Sequence, residues 1–128
     1  MSSGTQLGKV RGLGSARHGG QHWIFHRITA ISNVLLFAWF IGSLLQLESY
    51  DYVTVTAWLS SPLAAVAMML LAVSVFWHLR LGLQVLIEDY IHNHGTKFAL
   101  LMLLNIYAIG GAALAIFSVA KIAFTGAL

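Results

Sequence analysis

The sequence predicts an all-α integral membrane protein with three transmembrane helices, and its composition and apolar runs support this fold class. Of the 128 residues, 59% are hydrophobic and only 9% are charged, with a mean hydropathy of +0.81. Soluble domains carry about 25% charged residues, so this chain has too few to cover a water-facing surface. Three apolar runs, at about 28–47, 63–87 and 98–120, have the roughly 20 residues needed to cross a bilayer.

The segment 1–27 is predicted to be a cytoplasmic tail and interfacial region, and 28–128 to be the membrane anchor domain. The tail is Gly/Ser-rich and basic, and resembles a signal or transit peptide in this respect. However, the apolar run that follows is 20 residues long, from Ile28 to Leu47, and no A-x-A-like cleavage site comes after it. Residues 21–27 mix aromatic side chains with His and Arg, which is typical of the headgroup level.

The connections between the spans are short and polar. Residues 48–61 are predicted to form a polar, aromatic loop, and Pro62 is expected in the first turn of the second helix, where its missing N–H is not needed. Lys97 and Lys121 frame the third span. Gly110 and Gly111 within it favour close packing against a neighbouring helix.

The distribution of Lys and Arg predicts the orientation in the membrane, because cytoplasmic loops carry an excess of them. One side holds all but one of the basic residues near the span ends, namely Lys9, Arg11, Arg17, Arg27 and Lys97, whereas the other holds Lys121. The N-terminus is therefore predicted to be cytoplasmic and the C-terminus to lie on the far side. The absence of cysteine excludes thiolate metal sites in this chain, and a net charge of +3 is too small for nucleic-acid binding.

The second span contains a polar stripe along one helical face. At about 100° per residue, Ser74, His78, Gly82, Val85 and Asp89 fall on the same side. His78 is the only histidine within the predicted spans, and a neutral imidazole can ligate haem iron through one nitrogen while the other holds a hydrogen bond. A histidine hydrogen-bonded to a neighbouring helix, or a proton relay, would also explain it. If haem is bound, the second axial histidine must come from another subunit.

Polar residues near the predicted cytoplasmic interface suggest a further site. The Tyr90 phenol can donate a hydrogen bond to a quinone carbonyl, and Asp89 can orient it or relay protons; an ordinary interfacial tyrosine with a helix-end acid is the alternative. Arg27 can pair with a lipid phosphate, Asp89 or a haem propionate. The sequence assigns no role to Arg80, His22, His26, His92 or His94.

These residues carry a resemblance to the hydrophobic membrane anchor of succinate dehydrogenase, the smaller of its two anchors. The shared pattern is His-x₃-Gly-x₆-Asp-Tyr, running from His78 to Tyr90, with Gln84 between. The segments G-S-A-R-H-G in the tail and H-R-I-T-A-I from His26 to Ile31 support it. Together with the span count, the resemblance extends over nearly the whole chain and is strongest to the alphaproteobacterial branch.

The resemblance implies a multi-pass subunit of the bacterial inner membrane that packs with a second three-helix, cytochrome b-type anchor. It implies that His78 is an axial ligand of a shared haem b, that Arg27 lies near a propionate, and that Tyr90 and Asp89 belong to the ubiquinone site. Iron–sulfur and flavoprotein subunits would deliver electrons from succinate, and the chain would have no activity alone. A fumarate reductase anchor, another quinone-linked cytochrome b anchor, a proton-conducting subunit or a cofactor-free scaffold are the rival interpretations.

Overall fold

The computed structural model describes Thr5 and residues 19–126, and these form four helices with no strand among them. In chain order the helices are α1 (Gly19–Leu44), α2 (Tyr52–Leu59), α3 (Pro62–Tyr90) and α4 (His94–Thr125). Helices α1, α3 and α4 have 26, 29 and 32 residues and are apolar enough to cross a membrane. The prediction of an all-α protein with three spans is confirmed.

The long helices extend beyond the apolar runs that predicted them. Helix α1 begins nine residues before Ile28, so the interfacial segment is helical and continuous with the span. Within this extension the Arg27 guanidinium lies over the Trp23 ring, 5.2 Å from its centroid, which is a favourable i, i+4 pair. A charged residue therefore marks the edge of the hydrocarbon but not the end of the helix. Helices α3 and α4 likewise include the charged residues that were used to set the ends of the predicted spans, so both helices are longer than predicted.

A short helix, α2, occupies much of the segment 48–61, and the prediction of a loop there was wrong. Its N-cap is Asp51, whose carboxylate accepts the Thr54 backbone N–H at 2.7 Å. This bond, followed by those from the hydroxyls of Ser49 and Thr54, lowers the pKa of Asp51 below its usual value. The ionised cap stabilises α2 above the unfolded-state pKa, and this contribution is lost as pH falls through the lowered value. Such a cap is needed because β-branched residues in α2 favour helix only weakly.

The start of α3 follows the sequence prediction. Ser61 is the N-cap, with its side chain accepting the Ala64 N–H at 3.4 Å, and Pro62 occupies the first helical position. Helix α2 packs onto this end of the molecule through Trp58, which stacks on Trp39 of α1 with centroids 6.0 Å apart. The small core here contains Leu59, Ala65 and Val119.

Helix α3 is the central element of the three-helix layer. It packs against α1 on one side and α4 on the other, whereas α1 and α4 do not pack on each other. In the most apolar windows of α1, α3 and α4, only 6%, 22% and 11% of residues are buried within the chain. Most of the apolar surface must therefore contact lipid or other proteins, since a flat layer of helices encloses little of its own.

The α3–α4 contact depends on one of the two adjacent glycines. A Cβ added at Gly111 would overlap the edge of the Phe76 ring, with Phe76 Cζ 2.6 Å away, and that ring packs edge-on against Tyr107. At Gly110 an added Cβ would meet no atom within 4 Å. The close approach of α3 and α4 therefore requires a glycine at position 111, in line with the predicted role of small residues. It does not require one at position 110.

This difference gives a matched pair of variants. Gly111→Ala is expected to destabilise the folded chain by about 1–3 kcal/mol, because the Phe76 ring must move within a packed contact. Gly110→Ala should leave stability unchanged or raise it by up to about 1 kcal/mol through helix propensity. Thermal unfolding of the detergent-solubilised protein measures both. Equal melting temperatures for the two variants would show that Phe76 moves freely and that the glycine is not needed.

Candidate functional site

The polar stripe on α3 faces α1, and two of its side chains, those of Ser74 and His78, contact Thr29 of α1. The buried Ser74 hydroxyl donates to the Thr29 carbonyl oxygen at 3.4 Å. One turn further along α3, His78 Nδ1 lies 3.0 Å from Thr29 Oγ1. The hydrogen bonds of Ser74 and His78 thus hold both side chains on the α1-facing side, which is where the helical spacing predicted a common face. Sequence analysis did not single out Thr29.

A second histidine accompanies His78 in the structure. The His26 ring packs on the His78 ring, with centroids 4.6 Å apart and planes inclined by 36°. The early start of α1 places His26 at the same level as His78. The sequence analysis had expected His78 to be the only histidine within the spans, and this expectation was wrong. Two axial ligands of one iron would point their nitrogens at each other across the metal, with nitrogens about 4 Å apart and ring centroids still farther. The tilted stack of His26 and His78 does not match that geometry.

An open groove of about 480 Å³ begins one turn from His78. It is lined by residues of α1 and α3, namely Gly19, His22, Trp23, His26, Gly82 and Val85. A Cβ at Gly82 would meet no atom within 4 Å, so the missing side chain leaves free space beside the stripe. His22 Nε2 is buried and has no hydrogen-bond partner in the described part of the chain. The groove is thus mostly apolar, with imidazoles along one wall.

The donor set at this place fits one ligand position of a haem iron and does not fit a metal site built by the described residues alone. His78 has Nδ1 engaged by Thr29, and no described residue forms a hydrogen bond with its Nε2. Within residues 19–126, no cluster of three or more His, Asp or Glu side chains could enclose a metal ion. A single imidazole nitrogen one turn from an open groove would need a further iron ligand from outside the described residues, and the sequence analysis placed that ligand on another subunit.

Arg27 lies near the same end of α1 and is exposed, with its guanidinium over Trp23. None of the described carboxylates is within ion-pair distance of it, so the pairing with Asp89 considered from the sequence is not formed within this chain. Its N–H groups are accessible from outside, which leaves an anionic lipid or a haem propionate as possible partners.

Asp89 and Tyr90 end α3 and are both exposed, Tyr90 to 75%. Neither side chain forms a hydrogen bond with another described residue. The adjacent Glu88 differs, because its carboxylate accepts from Gln84 Nε2 at 2.8 Å and its carbonyl accepts from Lys97 Nζ at 2.9 Å. These bonds tie the end of α3 to the start of α4 while leaving Asp89 and Tyr90 directed away from the chain's own contacts.

Arg80 finds its partners on the opposite side of α3. Its Nε donates to Asn105 Oδ1 of α4, and its guanidinium lies over the Trp77 ring, 5.2 Å from the centroid. Sequence analysis assigned no role to Arg80, since its partner Asn105 is 25 positions away in the chain. Arg80 therefore belongs to the α3–α4 contact and not to the groove facing α1.

Three comparisons bear on the identity of the chain. A family model described as the succinate dehydrogenase/fumarate reductase transmembrane subunit matches residues 1–118. The succinate dehydrogenase hydrophobic membrane anchor subunits of Rickettsia conorii and Rickettsia bellii are each 31% identical over 106 residues, covering 82% of this chain and 84% of the relative. That of Rickettsia felis is 30% identical over 92 residues, covering 71% and 76%. No solved structure matches the chain.

Proposed function

Because the chain belongs to the succinate dehydrogenase/fumarate reductase transmembrane subunit family, we propose that it co-ligates haem b and contributes to a ubiquinone-reduction site. It is a multi-pass protein of a bacterial membrane, with three spans. The observation that best supports the proposal is the state of His78. Its Nδ1 is hydrogen-bonded to Thr29, its Nε2 has no hydrogen-bond partner among the described residues, and an open groove begins one turn away, at Gly82.

In this proposal His78 Nε2 would bind the haem iron from this chain, and a histidine of a second anchor subunit would supply the other protein ligand. Bound haem b would accept and release one electron between the two anchors. Gly82 leaves room for the edge of a flat macrocycle, and Arg27 is available to pair with a propionate. When the second anchor covers the groove, its apolar walls would exclude water, which strengthens each polar contact within it.

The quinone site is proposed at the α3 end, about 16 Å along the helix axis from His78. Tyr90 donates its phenolic proton in a hydrogen bond to a quinone carbonyl, which favours the negative charge that develops on that oxygen during reduction. The Asp89 carboxylate orients the phenol and attracts protons to this end. Both side chains are exposed in the isolated chain, so the remaining walls of the site must come from other subunits.

The proposed assembly contains the second anchor, an iron–sulfur subunit and a flavoprotein, with the N-terminus and the quinone site on the cytoplasmic side of the bacterial inner membrane. The chain itself has no activity alone. The helix layer supports the need for a second anchor, because within the described residues α1 and α4 pack only on α3 and α2 and most of their apolar surface is left uncovered. The names of the Rickettsia relatives favour succinate oxidation over fumarate reduction as the working direction.

Purification through an affinity tag on this chain, in mild detergent, tests the proposal. We expect three further subunits to co-purify and the reduced-minus-oxidised spectrum to show b-type absorbance. The preparation should also reduce a soluble ubiquinone with succinate. An intact four-subunit complex without b-type absorbance would overturn the haem assignment and leave the anchor role, whereas a chain that purifies alone from a strain expressing all four subunits would overturn the assembly.

A further inference from the structure

The Thr29 hydroxyl occupies a position between the α1 backbone and the His78 ring. Its Oγ1 lies 2.9 Å from the Phe25 carbonyl oxygen, 3.1 Å from the His26 carbonyl oxygen and 3.0 Å from His78 Nδ1. The residue is half-buried in the α1–α3 contact. Three polar atoms therefore share one hydroxyl group, which has only one proton to donate.

The positions of these atoms determine which nitrogen of His78 carries the proton. Carbonyl oxygens only accept, so the Thr29 proton must point towards Phe25 or His26 to avoid two close oxygen–oxygen contacts without a hydrogen. The hydroxyl then presents a lone pair to His78, and Nδ1 must be the donor. In the neutral imidazole this leaves Nε2 unprotonated, with its lone pair available to a metal.

We infer that Thr29 is a positioning residue that fixes the tautomer and ring orientation of His78 for iron ligation. This inference rests on the proposed haem function. Stacking with His26 restrains the plane of the His78 ring but does not select a tautomer. The Ser74 hydroxyl bonds to the carbonyl of Thr29 itself and so holds the same turn of α1 against α3.

Loss of the Thr29 hydroxyl has two expected consequences. An acceptor on the outer N–H of a ligating histidine raises the basicity of the other nitrogen, and removal of such outer partners typically lowers metal affinity about 10–100-fold. A weaker imidazole donor also lowers the stability of ferric haem relative to that of ferrous haem. The haem midpoint potential should therefore become more positive.

The test compares Thr29→Val, which replaces the hydroxyl by a methyl of similar size, with Thr29→Ser, which keeps it. Thr56→Val is the matched control, because Thr56 Oγ1 donates to the Tyr52 and Val53 carbonyls in the same way but contacts no histidine. Each variant is made in the full complex. Haem content after graded detergent extraction reports haem affinity, and a redox titration of the b-type absorbance reports the midpoint potential.

We expect Thr29→Val to lose haem at least tenfold more readily and to titrate at a more positive potential, while Thr29→Ser and Thr56→Val match the wild type. A Thr29→Val complex with wild-type retention and potential would overturn the inference, and so would an equal shift in Thr29→Ser. If valine prevents assembly, Thr29→Ala is compared with Thr29→Ser, a pair that differs by the hydroxyl alone, with the same two outcomes.

Failure of this inference is distinguishable from failure of the proposed function. His78→Ala is measured in parallel in the same complex. If b-type absorbance is lost in His78→Ala but unaffected by Thr29→Val, His78 is a ligand and only the role of Thr29 is rejected. If the absorbance persists in His78→Ala, the haem proposal itself fails, whatever Thr29→Val shows.

Discussion

Replacement of His78 by alanine is expected to abolish the b-type absorbance of the purified complex, or to reduce it to a minor, spectrally altered residue. The imidazole is the one iron ligand that we propose for this chain, and its removal would leave the iron without a ligand from this chain. Reduced-minus-oxidised spectra of the wild-type and variant complexes, normalised to flavin content, measure the loss.

Two other histidines serve as comparisons for this variant. His92→Ala changes an exposed loop histidine and should leave the spectrum unchanged. His26→Ala removes the ring stacked on His78 and should keep a b-type signal, because the geometry of the stack is unsuited to ligation by both rings. A spectrum that survives in His78→Ala and disappears in His26→Ala would contradict the assignment and transfer ligation to α1.

Tyr90→Phe is expected to lower succinate–ubiquinone reductase activity by about 100-fold, the lower end of the range for removing a proton donor from a reacting group. The substitution removes the phenolic hydroxyl and keeps the ring, so packing at the end of α3 should be preserved. Steady-state assays with a soluble ubiquinone measure the loss.

The control for Tyr90 is an assay and a second variant. Succinate oxidation with a dye that takes electrons before the quinone should stay at the wild-type rate in Tyr90→Phe. Tyr52→Phe changes another exposed tyrosine, the first residue of α2, and should leave both activities unaltered. Full quinone reduction in Tyr90→Phe would place the quinone's hydrogen-bond donor on another residue or subunit.

Apolar length and helical periodicity predicted most of the fold and part of the candidate site. Three runs of about 20 or more residues predicted the three spans, and the 100° spacing predicted that Ser74, His78 and Gly82 share a face. These features depend only on residues close in sequence. Pro62 at the start of α3 is a further case, because its preference for the first helical turn is local.

The features that sequence analysis missed depend on which helices meet and at what height. His26 became a partner of His78 because α1 begins before Ile28, and Thr29 became one because α1 packs on α3 at that level. The pairing of Arg80 with Asn105 likewise follows from the α3–α4 contact. A polar residue such as Thr29 inside an apolar run was the available signal, since polar groups at this depth usually have a partner.

The most direct test of the account is an experimental structure of the full complex, in which the iron and the His78 ring are both resolved. We expect His78 Nε2 about 2 Å from the haem iron, the usual metal–imidazole distance, with Nδ1 within hydrogen-bonding distance of Thr29 Oγ1. A histidine of the second anchor should occupy the opposite axial position. An iron whose two axial ligands both come from other residues, with His78 turned away from it, would contradict the account.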